Sequence, residues 1–486
     1  MTFKELFGLT VVPLMMLSSI VAACGFKRLR DVFFILLVFL APMIERVDVN
    51  FVSREWYRGT SRGFEVSLLD VLAIGLLVSA LVAPRRGESR GFWPACFGVM
   101  LLFFAYCCFN VAVADPRIFG CFGLFEMLRG CIVMLAVAFY LRTERELRIF
   151  LLTLGLLVCY EGLLALRQRY WLGVHRVPGT IDDSNSLSVF LCLTAPIFVA
   201  VLNSRLPVGY KLLAVAAIPL ACVAEIMTIS RAGVVIMGLV LFGTAVTTMS
   251  IHLTPRKVII ALVVAIGVSA VLAKSWKTLE SRFKETNLEE EYHNKRKLGR
   301  GYYIRIARAM ATDRPFGVGL NNWSYWASCH YGPRLGYQFV PYRGTELEPT
   351  TLIPDSSNVD EAQAAPAHSL GALTTGELGY PGLVLFALVW LRWLQIGANF
   401  LWRRRRDPMV RIGVGIFFGF CGLFLQSLTE WVFWQAPIFY TFNIVLGVLL
   451  SLHHKKRKSI IAERVGALEM EPEMAPSESL EAGATA

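Results

Sequence analysis

Charge is scarce in this chain. Asp, Glu, Lys and Arg make up 17% of its 486 residues, against 55% apolar residues and a mean hydropathy of +0.55. That scarcity runs the whole length, which excludes a soluble domain with one anchor and gives a polytopic membrane protein. Also missing is any cluster of His, Cys and Asp at metal-ligand spacing, so metal-free chemistry with no cofactor is expected. No inverted repeat of the transporter kind is legible. Disulfide partners are absent too, although there are 11 cysteines. Cys107, Cys108, Cys131, Cys159 and Cys192 lie in or beside apolar runs, and Cys329 stands alone deep in a polar loop, so no structural disulfide is expected.

The net charge of +12 comes in short basic clusters between apolar runs. That distribution sets membrane orientation and argues against a nucleic-acid partner. At the N-terminus, Val21-Ala22-Ala23-Cys24 resembles a lipoprotein cleavage box. The basic start is weak, Lys4 being offset by Glu5, and the segment reads as a first span.

Apolar runs of bilayer length fall at 8–25, 32–45, 66–83, 92–113, 119–141, 149–166, 186–203, 211–228, 234–252, 258–273, 381–402, 411–432 and 437–452. The expected fold class is therefore an all-α integral membrane protein of about 12–13 spans. The short basic connections (27–30, 84–86, 142–148, 254–257, 403–406 and 453–458) are assigned to the cytoplasm. Alternation puts 46–65, 114–118, 167–185, 229–233, 274–368 and 433–436 on the periplasmic face of the inner membrane. The chain thus divides into N-terminal spans (1–148), central spans with short outer loops (149–273), a large periplasmic loop (274–368), C-terminal spans (369–458) and a disordered cytoplasmic tail (459–486). Within the large loop, residues 298–310 have helical spacing. Arg300, Tyr303, Ala307 and Met310 share one side, and Leu298, Tyr302 and Ile306 form a neighbouring apolar stripe.

Four features on that face could carry chemistry. Asp182, Asp183 and Asn185 precede a span, where such residues commonly cap a helix. Arg231 sits in a very short turn, where an arginine usually snorkels to headgroups; those that do so favour the opposite, cytoplasmic side. Arg300, Arg305 and Arg308 have a solvated basic face as their plain reading. His368, with Glu377 after it, opens a span where a lone histidine is more often structural. Taken together they fit one reaction. Guanidinium forks hold a pyrophosphate and stabilise its leaving charge, and a histidine takes the proton of an attacking hydroxyl.

The segments PGTIDDSNSLSVFLCLTAPI (178–197), TISRAG (228–233), RGYYIRIARAMATDRPFGVGLNNWS (300–324) and AHSLGALTTGELGYPGL (367–383) resemble the O-antigen ligase/polymerase family of bacterial membrane glycosyltransferases. The likeness covers roughly 150–452; the first four or five spans match only in hydropathy. It implies the C-type glycosyltransferase fold and transfer of a glycan from undecaprenyl pyrophosphate to an acceptor hydroxyl, with inversion. The implied partners are that donor, a glycan or lipid acceptor, and envelope polysaccharide assembly proteins. It further implies that Arg231 and Arg300, or Arg305 in place of the latter, hold the pyrophosphate. Asp183 and Asn185 would be substrate contacts. His368 would act as general base or orient the acceptor, and Glu377 would fix His368 or line the site. Ser369 stands where the family usually has Asn, which weakens any role that needs an amide. GVGLNNW tilts the reading towards an exopolysaccharide polymerase over a core ligase.

The rival reading is a transporter or flippase, because Glu126, Glu161 and Glu225 fall within spans and intramembrane acids often mark ion paths. The bland reading of such acids is pairing with arginine, as Glu126 with Arg129 one turn on. A third possibility is a structural subunit of an envelope-assembly complex.

Overall fold

The computed structural model describes residues 3–53, 57–84, 91–248, 280, 300–337, 339, 342–343, 348–349, 363–401 and 408–470. The chain opens with α1 (Phe3–Gly25), α2 (Lys27–Leu40), a hairpin of β1 (Asp48–Ser53) and β2 (Gly63–Ser67), α3 (Leu68–Val82) and α4 (Phe97–Val113). Five helices follow: α5 (Arg117–Tyr140), α6 (Glu144–Tyr170), α7 (Ser184–Leu202), α8 (Val208–Thr228) and α9 (Arg231–Thr248). After the segment that lies outside the described residues come α10 (Arg300–Asp313), α11 (Leu370–Ala398), α12 (Pro408–Ser427) and α13 (Ala436–Met470). The molecule is an all-α polytopic membrane protein.

Among the described residues, eight helices are long and apolar enough to cross a membrane: α5 to α9, α11, and the apolar parts of α12 and α13. Three expected spans are shorter, at Thr10–Gly25, Leu68–Val82 and Phe97–Val113. The run at 32–45 becomes α2, only 14 residues long, prolonged by a tight turn over Ala41–Arg46. The run at 258–273 lies outside the described residues. Of the expected tail, the part to Met470 continues α13 as helix, and 471–486 lies outside the described residues.

The two sets of connections gather at opposite ends of the bundle. At one end, Arg392 reaches the Ala95 carbonyl at 3.0 Å, Arg145 reaches Asp31 at 2.5 Å, and His454 stacks on Phe92 with ring centres 4.1 Å apart. At the other, Arg46 bonds Asp182 at 3.0 Å and Trp326 Nε1 donates to the Asp115 carbonyl at 3.0 Å. There too Thr60 donates to Asn321 Oδ1 at 2.8 Å. This second end, here the site end, holds every connection assigned to the periplasmic set that the structure describes.

The hairpin is not legible as a span or a loop. Val49, Phe51 and Phe64, Val66 alternate with polar residues, and the strands pair antiparallel with Asn50 opposite Glu65. Its second strand leads into Ser67, whose backbone N–H and hydroxyl both reach Asp70 Oδ2, at 2.7 and 2.8 Å. This is a capping box at the start of α3. Arg129 then closes on Asp70, its Nε 3.1 Å from both carboxylate oxygens and its Nη2 2.8 Å from one. Arg129 lies about 18 Å along α5 from Arg117, so the hairpin dips well into the bundle. Its ladder satisfies the backbone groups that depth would otherwise strand.

The expected pairing of Glu126 with Arg129 is therefore replaced by Asp70 with Arg129, and Glu126 Oε1 has no hydrogen-bond partner among the described residues. Asp70 offers the guanidinium both carboxylate oxygens, each 3.1 Å from Nε, which favours a charge-assisted contact. Asp70→Asn leaves a buried guanidinium uncompensated and is expected to cost about 3–5 kcal/mol. The check is thermal unfolding in detergent, in which Asp70→Asn paired with Arg129→Leu recovers most of the loss.

Residues 314–323 lock onto α11. Gly379 in α11 has φ 66° and ψ −173°, with Pro381 following, so the helical ladder breaks there. The freed carbonyls find donors elsewhere. Val318 N donates to Gly376 O at 3.0 Å, Gly319 N to Glu377 O at 2.9 Å, and Tyr106 Oη of α4 to Leu378 O at 2.6 Å. Asn110 of α4 bonds the same turn twice, donating to Phe316 O and accepting from Leu320 N, both at 2.7 Å. The side chain of Asn321 joins it to the Ser61 and Phe119 carbonyls, at 2.8 and 2.9 Å. Of the two stripes expected for α10, Tyr302, Ile306 and Tyr303, Ala307, Met310 are buried, whereas Leu298 and the side chain of Arg300 lie outside the described residues.

Candidate functional site

Three turns meet at the site end, with a buried glutamate beside each. Glu161 of α6 accepts from the Thr180 N–H at 3.1 Å and from the Thr180 hydroxyl, which holds the Pro178-Gly179-Thr180 turn. Glu225 of α8 accepts from Ser188 at 2.6 Å beneath the turn that carries Arg231. Glu377 of α11 accepts from the Trp323 N–H at 3.2 Å. Glu161 and Glu377 thus hold backbone N–H groups, and Glu225 holds a side-chain hydroxyl.

Asp183 is the N-cap of α7, its carboxylate accepting from the Ser186 N–H at 2.8 Å and hydroxyl at 2.7 Å. Asp182 pairs with Arg46 across the loop. Asn185, one residue inside α7, accepts from Arg176 Nη2 at 2.7 Å and reaches Glu430 Oε1 from its Nδ2 at 3.4 Å. Arg176 Nε in turn donates to the Thr228 carbonyl at 3.2 Å. Beyond Thr228 the chain turns through left-handed Ile229, φ 56°, and Arg231 opens α9.

The other carboxylate oxygen of Glu430 lies 2.9 Å from His368 Nδ1. His368 precedes Ser369, the N-cap of α11, whose hydroxyl accepts from the Ala372 N–H at 3.4 Å. A serine thus supplies the helix cap at the position where an amide was expected. Tyr303 of α10 lies beside the imidazole, ring centres 5.4 Å apart. His368, Glu430, Asn185, Arg176 and the Thr228 turn therefore form one hydrogen-bonded series across four segments of the chain.

Glu377 is not part of that series. The carboxylate facing His368 is Glu430 instead, because α11 turns Glu377 inward to Trp323. Arg305 aims its guanidinium at the Tyr337 hydroxyl, Nη2 at 2.5 Å and Nε at 3.1 Å. Arg300 opens α10, and its side chain lies outside the described residues. Glu430 and Arg176 are the residues that sequence reasoning missed. The run at 411–432 hid Glu430 inside a span, whereas α12 ends at Ser427. The sequence signal was Thr429-Glu430 closing an apolar run, just before a tryptophan-rich turn.

A carboxylate against Nδ1 keeps a proton on that nitrogen and leaves Nε2 as the acceptor of the ring. Such a ring can take a proton from a hydroxyl that approaches Nε2. Among the described residues, no group of three or more His, Cys, Asp or Glu side chains converges as metal ligands.

Comparison with curated proteins returned no match. Residues 214–387 match the family model described as O-antigen ligase. The matched stretch takes in Arg231, Arg300, Arg305, His368 and Glu377, and it leaves Asp183, Asn185 and Glu430 outside. That segment of the chain is similar to the O-antigen ligase domain, which supports assignment to the O-antigen ligase/polymerase family.

Proposed function

We propose that the chain transfers a glycan from undecaprenyl pyrophosphate to an acceptor hydroxyl at the site end, which faces the periplasm from the inner membrane. The observation that carries this reading is the His368–Glu430 pair, with Nδ1 and Oε2 2.9 Å apart. The ligase domain gives the chain a membrane glycan-transfer role; the pair supplies a base for it. The acceptor oxygen attacks the anomeric carbon, its proton passes to His368 Nε2, and the bond from that carbon to the pyrophosphate oxygen breaks with the electron pair on the leaving group. A single displacement of this kind inverts the anomeric centre. Arg231 and Arg176 on the converging turns, with Arg300 or Arg305 from α10, stabilise the departing charge. Asn185 links the phosphate side to the base through Glu430.

The test is the size distribution of envelope glycans in cells with the native chain or His368→Ala at equal expression. A ladder collapsed to single repeat units identifies a polymerase. Long chains retained on the lipid carrier identify a ligase. An unchanged distribution removes His368 from the reaction and with it the proposal.

A further inference from the structure

One helical turn beneath the His368–Glu430 series lies a second buried layer. The Glu430 N–H still donates to the Gln426 carbonyl at 3.0 Å, and Ser188 stands three residues after Asn185 on α7. Gln426 Nε2 reaches Ser188 Oγ at 3.3 Å and Cys192 Sγ at 2.9 Å. Ser188 Oγ donates to Glu225 Oε1 at 2.6 Å. Glu225 is 1% exposed, and its Oε2 has no hydrogen-bond partner among the described residues.

Gly233, in the first turn of α9, closes this layer. A β-carbon on Gly233 would fall 2.0 Å from Ser188 Oγ and 2.1 Å from Glu225 Oε1. Only glycine lets that turn close on the pair, and the turn is the one that begins with Arg231. An apolar residue in place of Glu225 would fill the space but leave the Ser188 hydroxyl without an acceptor in a dry interior, which is unfavourable.

We infer that Glu225, through Ser188, is a positioning residue for Arg231. The layer fixes the first turn of α9 against α7 and α12, the two helices whose ends carry Asn185 and Glu430. The phosphate-binding arginine and the base are thereby set at one spacing by one buried polar contact. The inference rests on the proposed reading, in which Arg231 meets the pyrophosphate of the donor.

The test uses the detergent-solubilised full chain and undecaprenyl pyrophosphate without sugar as probe. Arg231→Ala is expected to weaken binding about tenfold or more, and Glu225→Ala by a similar factor. Glu225→Gln keeps an oxygen for Ser188 and is expected to bind within about twofold of the native chain. Because Glu225 acts through Arg231, the double variant Arg231→Ala/Glu225→Ala binds no more weakly than Arg231→Ala alone. A folded Glu225→Ala protein that binds like the native chain overturns the inference, as do losses that multiply in the double variant. If Glu225→Ala does not fold, Ser188→Ala, which removes only the hydroxyl, is measured against the same two outcomes. A native chain that fails to bind the probe overturns the proposed function as well; native binding with Glu225→Ala unchanged overturns this inference alone.

Discussion

His368→Ala lowers turnover by roughly 10²–10⁴-fold, the range for loss of a positioned general base, with little change in KM for the lipid-linked donor. In the proposed reaction the imidazole meets the acceptor hydroxyl, whereas the donor is held by arginines on other segments, so the loss is expected in the chemical step. Glu430→Gln separates charge and orientation from volume. It preserves the size of the side chain but lets its amide offer Nδ1 a donor in place of an acceptor, which favours the wrong tautomer. A loss on the order of 10² is expected there, again in turnover. Initial rates with the lipid-linked donor and its acceptor, on protein whose unfolding temperature matches the native chain, decide the matter. Full turnover by Glu430→Gln would show that the pair is structural.

Gly379→Ala has the largest expected effect on the fold. At φ 66° and ψ −173° a side chain is strained in any surroundings, and here its β-carbon would stand 2.0 Å from the Pro315 carbonyl oxygen. Neither partner has room to yield, because Gly317 packs its own backbone on the same place: a β-carbon there would lie 2.2 Å from the Glu377 oxygen. The strain alone is worth about 1–3 kcal/mol, and separation of the two backbones adds the loss of the Val318 and Gly319 hydrogen bonds. Gly371 on the same helix is the control. It has nothing nearer than Ser369 Oγ at 3.8 Å, so Gly371→Ala is expected to be neutral or slightly stabilising. Thermal unfolding of the three purified chains reads the contrast. Gly379→Ala unfolding together with the native chain would refute the interlock.

What was legible in the sequence follows from which forces act locally. Basic connections and apolar runs are local features, and they sorted the loops into the two groups that the structure gathers at opposite ends. The helix at 300–313 was likewise written in its own periodicity. Glu430 was hidden because a carboxylate three residues beyond a helix end looks no different from one inside an apolar run. Glu377 drew attention by its nearness to His368 in sequence, but nine residues along a helix point a side chain elsewhere. Asp70 shows the same limit. Its partner Arg129 lies 59 positions away, and only the dip of the hairpin brings them together. GVGLNNW read as a marker of one kind of member. In the structure its glycines and asparagines join α4, α5 and the break in α11, a backbone requirement that a short motif does not reveal.

The turn at 316–322 also has a consequence for how the chain is made. Synthesis runs from the N-terminus, and α4 and α5 emerge long before α11 does. The turn bonds all three, so its final conformation has no counterpart until residues near 379 have been inserted. The histidine must wait longer still, since Glu430 belongs to the connection between the last two helices. A ribosome that stops before residue 430 therefore releases a chain in which His368 has no Glu430 to face, although the turns that carry Arg176 and Arg231 have already been made.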